Sequence, residues 1–188
     1  MSKGIYLSPA SYLFSKEFNL LSGSLNHNQV QNDIVGFEQG VKEFLETDKY
    51  CVALNSGTSA LHLSLLLSGI QPGDYVLCQS HNFVATANVI KYCGALPIFV
   101  DSEKKTGNLS LDDLKCAIDD LKVKGIFPKA VIVSSLYGMP FQFDEIHAFV
   151  KSRGIKLIEN SAESLGSSYK GQKCGCLLYT SPSPRDRG

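Results

Sequence analysis

The sequence lacks any excess of charge: 18 Lys and Arg stand against 18 Asp and Glu. A balanced chain offers no electrostatic footprint for nucleic acid or an anionic membrane surface. Long apolar runs are missing too. The longest, around "LHLSLLLSGI", is too short to span a bilayer. The opening "MSKGIYLSPASY" has no apolar core of the signal-peptide kind. These absences predict a cytoplasmic protein. There is no CxxC pair among the six cysteines at 51, 78, 93, 116, 174 and 176. Most are expected to be reduced core residues rather than parts of a disulfide or metal framework. Internal repeats and low-complexity tracts are absent from 1–175.

What is present is an ordinary soluble composition, 44% hydrophobic and 19% charged over 188 residues, enough for one sizeable core. Val30, Ile34, Phe37, Val41, Phe44 and Leu45 recur at helical spacing and predict a helix over 28–47. A strand "YCVAL" (50–54), the turn "NSGTS" and a helix from about Ala60 to Ser68 follow. "YVLC" (75–78) reads as a strand, "NFVATANVIKYCG" as a helix from near Asn82 to Gly94, and "LPIFVD" (96–101) as a strand. "SLDDLKCAIDDLK" is an amphipathic helix capped by Ser110, with Asp113 at its third position. "KAVIVSSLYG" (129–138) is a continuous apolar run of the buried-strand type. "FDEIHAFVKSRG" is a helix and "IKLIEN" the next strand.

Strands alternate with helices throughout. That pattern predicts an α/β fold, three layers with a mostly parallel sheet between helices. Ligands in such sheets bind beyond the carboxyl ends of the strands. Asn55–Ser59, Ser134–Gly138 and Asn160–Glu163 are expected there.

"CLLYTSPSPRDRG" (176–188) has a different texture. Two of the chain's three Arg and two of its seven Pro fall in it. It resembles the conceptual translation of a transposase-type sequencing adapter. The natural reading would then stop near Gly175, inside a domain.

Several residues could carry chemistry. "LNSGTSALHL" sets Gly57, Thr58 and Ser59 between a strand and a helix. Free N–H groups and the dipole at a helix start attract anions; plain helix capping is the alternative. The stretch matches neither the P-loop nor the dinucleotide fingerprint. Phe83 near a strand end, taken alone, reads as core. His62 and His81 have no metal spacing around them, and no metal site is expected. In "IENSAESLG", strand alternation sends Glu159 and Asn160 to opposite faces, so only one of them can serve a shared site. Asn160 either caps the next turn or joins that site with Glu163.

Together these pieces resemble the DegT-type sugar aminotransferases, which use pyridoxal phosphate. The resemblance covers 4–175. It rests on "YLSP", Phe37-Glu38, "ALNSGTSALHLSL", "PGDYVLCQSHNFVATAN", "YCGALPIFVDSE", "PKAVIVSSLYGMP", "DEI" and "IENSAESLGSSYKGQKCG", in order and at spacing. It implies the large domain of the aspartate-aminotransferase type, of which 1–175 would be the N-terminal part. It also implies a cytoplasmic homodimer acting in amino-sugar and polysaccharide biosynthesis. The substrates would be an amino donor, typically glutamate, and a nucleotide-linked keto-sugar.

Residue by residue, Gly57, Thr58 and Ser59 match the family's cradle for the cofactor phosphate. Phe83 matches the aromatic that stacks on the pyridine ring. Asn160 falls where the family usually has Asp, the partner of the ring nitrogen. Glu163 falls near the cofactor's phenolic oxygen. A neutral amide at 160 can hydrogen-bond but cannot favour the protonated ring as a carboxylate does.

The family's Schiff-base Lys belongs downstream of Gly175, and neither Lys170 nor Lys173 takes its place. The chain as written is therefore expected not to turn over, and its cut sheet to leave it poorly soluble. At 22–33, "SGSLNHNQVQND" departs from close relatives, so substrate contacts there do not carry over. A sugar dehydratase with His at the Lys position, or a non-catalytic regulatory member, are the alternatives within the same fold.

Overall fold

The computed structural model describes residues 27–175, with side chains from Val30 onward. The "YLSP" motif, residues 22–26 of the departing 22–33 segment and the tail 176–188 lie outside the described residues. The chain falls into two units divided after Gly57.

The first unit contains helix α1, His27–Leu45, on the apolar spacing that predicted it. The segment after it does not form the expected strand 50–54. An apolar run becomes a strand only where a neighbour supplies a hydrogen-bonding ladder. None does so here among the described residues, and Val52 stays 65% exposed. The Ala53 N–H donates instead to Glu38 Oε1 at 2.7 Å.

The second unit holds the sheet. Helix α2 spans Gly57–Leu67 and stops before Gly69, which has φ +74°. Strand β1 is Tyr75–Gln79, α3 Ala85–Tyr92 and β2 Leu96–Val100. Helix α4 is Leu111–Val123, β3 Ala130–Ser134, α5 Phe143–Lys151 and β4 Lys156–Asn160. A short hairpin, β5 Ser168–Tyr169 and β6 Gln172–Lys173, ends the described chain. Ser110 caps α4, its hydroxyl accepting from the Asp113 N–H at 3.2 Å.

All four main strands are parallel, in the order β2-β1-β3-β4. Strand alternation divides the core between the two faces. Val76, Cys78, Ala130, Ile132 and Ile158 pack with Leu61 and Leu65 of α2 and Val89 and Ile90 of α3. Leu77, Val131, Val133 and Leu157 pack with α4 and α5 through Leu114, Ile118, Leu121, Ile146 and Val150. Helices therefore cover both faces, the three-layer arrangement expected. The chain leaves β1 through α3 on one face and β3 through α5 on the other. Adjacent strands whose helices diverge in this way open a crevice at their carboxyl ends.

Two element boundaries shift from expectation. Helix α3 starts at Ala85, not near Asn82, because the Asn82 side chain is engaged elsewhere: its Nδ2 donates to Ser134 Oγ at 2.7 Å. Strand β3 ends at Ser134, and Leu136–Gly138 forms a 3-10 turn.

Of the five cysteines among the described residues, Cys78, Cys93 and Cys174 are buried, Cys51 is half-buried and Cys116 is exposed; all five are free thiols. Burial in the core raises the Cys78 pKa to about 11.

Candidate functional site

The crevice between β1 and β3 is built by side chains at the ends of continuous apolar strands. The two strands pair as far as Cys78 and Ile132. Beyond that point the buried Gln79 side chain bridges them. Its Oε1 accepts from the Ser134 N–H at 3.1 Å, and its Nε2 donates to the His81 carbonyl at 2.9 Å. Asn82 closes a second link to Ser134 and accepts from the Phe83 N–H at 2.8 Å. Gln79 and Asn82 were not singled out from the sequence. The signal that could have found them is a lone amide side chain at the end of an apolar strand.

Phe83 follows directly on this frame. It is not core: its ring is 69% exposed beside the crevice. Thr86, in the first turn of α3, is buried, and its hydroxyl accepts from Asn160 Nδ2 at 3.5 Å. Asn160 thus lies on the α2/α3 face of the sheet. Its Oδ1 also accepts from the Ala162 N–H at 3.2 Å, the capping bond anticipated for the turn. Glu159 takes the other face, where its carboxylate accepts from Ser161 Oγ and from the Gly175 N–H.

Lys156, the first residue of β4, donates from Nζ to the Ser68 carbonyl at 2.6 Å, just past the end of α2. Leu61 and Leu65 of α2 pack on the same sheet face as Ile158 of β4. Because α2 begins at Gly57 rather than Ala60, Gly57, Thr58 and Ser59 form its first turn. The dipole of a helix start favours an anion. A side chain at Gly57 would meet nothing within 4 Å.

Glu163 is placed differently from Asn160. It lies in the turn after β4, and its Oε2 accepts from the Tyr137 N–H at 2.7 Å. One carboxylate oxygen is thereby committed to the backbone beyond β3. Ser135, between β3 and that turn, is buried with a hydroxyl that has no protein partner. His62 is not part of the edge; it packs edge-on against Tyr92 with ring centroids 5.9 Å apart. Among the described residues, no three metal-ligating side chains converge, and no helix is long and apolar enough to cross a membrane.

The donor set suits a flat, anionic ring compound. A helix start with two hydroxyls accommodates a phosphate. An exposed aromatic ring offers a stacking face. A half-buried amide and a buried, unpartnered serine hydroxyl supply neutral hydrogen bonds at the same strand ends.

Residues 14–181 match the model of the DegT/DnrJ/EryC1/StrS aminotransferase family. Over 178 residues the chain is 42% identical to EpsN of Bacillus subtilis (strain 168), named as a pyridoxal phosphate-dependent aminotransferase. That match covers 93% of this chain and 45% of EpsN. It is 37% identical over 144 residues to the GDP-perosamine synthase of Caulobacter vibrioides, covering 77% of this chain and 37% of that protein. The structure resembles the crystal structure of a DegT DnrJ EryC1 StrS aminotransferase from Brucella abortus, with a TM-score of 0.73 and 34% identity. There the match covers 76% of this chain and 38% of the other. The chain thus spans less than half the length of these relatives.

Proposed function

This chain belongs to the DegT/DnrJ/EryC1/StrS aminotransferase family, whose cofactor is pyridoxal phosphate, and we propose that the whole protein aminates a nucleotide-linked keto-sugar with glutamate as amino donor. The observation that carries the reading is the meeting of Asn160, Thr86 and exposed Phe83 at one carboxyl edge of a sheet with this family's fold. The relatives point the same way, since a GDP-perosamine synthase acts on a nucleotide-linked sugar by its name.

In this reading the first turn of α2, with Thr58 and Ser59, holds the cofactor's phosphate, and Gly57 leaves it room to approach. Phe83 offers its face to the ring. Asn160 hydrogen-bonds to the ring nitrogen without adding a charge, and Thr86 fixes the direction of its amide. Glu163 lies toward the phenolic oxygen through the carboxylate that also holds the Tyr137 turn. The bound cofactor supplies an electron sink for the carbon that gains or loses the amino group. A lysine downstream of Gly175 acts as covalent anchor and moves the proton. The whole protein is a cytoplasmic homodimer in this reading.

The test is the whole protein incubated with glutamate and a nucleoside-diphosphate keto-sugar. Mass spectrometry should show 2-oxoglutarate and a sugar nucleotide carrying one amine. Formation of neither, in a preparation that shows the cofactor's visible absorbance, would count against the reaction.

A further inference from the structure

The backbone at Tyr137 occupies a conformation that its own side chain opposes. Its φ is +53°, the left-handed region that a bulky residue rarely adopts, and Gly138 follows at +78°. The fold gains little from an aromatic ring at 137: the side chain is 78% exposed, and its ring contact is a tilted one with His81. Glycine would adopt this turn without strain.

Three side chains from two separate segments nevertheless clamp the turn. Buried Asn108, before α4, accepts from the Leu136 N–H at 3.0 Å and donates to the Met139 carbonyl at 2.8 Å. Glu163, after β4, accepts from the Tyr137 N–H at 2.7 Å. Ser167 donates to the Gly138 carbonyl at 2.7 Å. Four consecutive backbone positions, Leu136 to Met139, are thus each held by a side chain from elsewhere in the sequence. Such over-determination of an unfavourable conformation marks a residue kept for what it presents, not for what it packs.

What Tyr137 presents is a ring at the carboxyl end of β3. It stands 6.1 Å, centroid to centroid, from His81 at the end of β1. The His81 ring is itself seated over Gly107, where a Cβ would come within 3.2 Å of Nδ1. The two rings flank the crevice. Its polar edge, through Glu163, connects to the strand that carries Asn160.

We propose that Tyr137 is the ring against which the substrate's sugar packs, and that Asn108, Glu163 and Ser167 are the residues that position it. The proposal rests on the reading above that the substrate is a nucleotide-linked sugar. The sugar, rather than the base, is the part concerned. The reacting carbon belongs to the sugar, and Tyr137 is tied by one hydrogen bond to the turn that follows Asn160. A pyranose offers a flat C–H face to an aromatic ring, and a tyrosine hydroxyl can bond to the sugar's rim.

The decisive variant is Tyr137→Gly in the whole, cofactor-loaded protein, with Tyr137→Phe beside it. Glycine relieves the backbone, so the melting temperature should hold or rise. Calorimetry with UDP-glucose and GDP-mannose as probes should show Tyr137→Gly weakening whichever the wild type binds by about five- to tenfold, the scale of one aromatic contact. UDP and GDP alone should bind as before, and Tyr137→Phe should keep most of the affinity. Glu163→Ala should lose sugar-nucleotide affinity similarly, with no further loss in the double variant. Unchanged sugar-nucleotide affinity in Tyr137→Gly would overturn the proposal. So would equal losses for UDP and UDP-glucose, or a changed oligomeric mass without a change in binding. A wild-type protein that binds neither sugar nucleotide would overturn the proposed reaction first, and this inference with it.

Discussion

The Asn160 amide donates to the Thr86 hydroxyl at 3.5 Å, joining the end of β4 to the first turn of α3. Thr86 is buried and Asn160 half-buried, so the pair sits where a charge would be felt strongly. Neither residue carries one. A ligand ring placed at this edge meets a neutral donor and acceptor, held in direction by the sheet on one side and a helix on the other.

The first prediction follows from that neutrality. Asn160→Asp in the whole protein keeps the shape and lets Thr86 donate to the new carboxylate. A nearby negative charge raises the pKa of a ring nitrogen by roughly 1–3 units. The pH titration of the bound cofactor's absorbance should move up accordingly. Transamination should quicken by about tenfold, one pKa unit's worth of charge stabilisation. Unchanged absorbance and rate would show that Asn160 does not face the ring.

Asn108 bears two backbone groups of the strained turn on a side chain that is 1% exposed. Asn108→Ala leaves the Leu136 N–H and Met139 carbonyl without it, at about 1–3 kcal/mol for the buried N–H and less for the carbonyl of exposed Met139. Urea denaturation should show a lowered midpoint with the same slope. A stability equal to wild type would mean the turn stands without the clamp.

Ser110→Ala removes the hydroxyl that accepts from Asp113 at the start of α4. The expected cost is about 1 kcal/mol, with Ser110→Asp or Ser110→Asn retaining most of it. Thermal melts of the three variants check this directly, since only the alanine variant should fall.

Alkaline pH should weaken the fold through its buried thiols. Cys78 is raised to about 11 by burial, from an ordinary value near 9.0. Between those limits the unfolded chain loses the proton and the folded chain keeps it. Stability is therefore intact below about pH 9 and declines as pH rises toward 11, by roughly 2–3 kcal/mol from this group. Cys93 and Cys174 are raised by the same cause and add in the same direction. Cys78→Ala should be less stable at neutral pH, through the lost packing, yet show a shallower decline above pH 9. An equal slope in both proteins would remove Cys78 from the account.

Much of the architecture was legible because it is local. The apolar runs of β1 and β3 are continuous, as strands covered on both faces must be. Ser110 with Asp113 announced α4, and the alternation of strands with helices gave a parallel three-layer fold. Glu159 and Asn160 were assigned to opposite faces by strand periodicity alone, and their partners lie on opposite faces. Reading failed where the outcome depends on a distant partner. "YCVAL" has the composition of a strand but no neighbour to ladder with among the described residues. Asn82 looks like a helix cap, but its side chain bonds to Ser134, 52 residues further on.

The site divides in the same way. The sequence alone marked the polar residues at the strand ends and, through its motifs, the family to which they belong. Tertiary structure decided which of them share an edge. It started α2 at Gly57, joined Asn160 to Thr86, and opened the crevice by sending α3 and α5 to opposite faces. It alone revealed Tyr137 in a left-handed turn clamped by Asn108, Glu163 and Ser167. Periodicity reports which face of its own element a residue occupies. Which elements meet, and what strain their meeting can hold, is set by packing between parts of the chain that no local pattern connects.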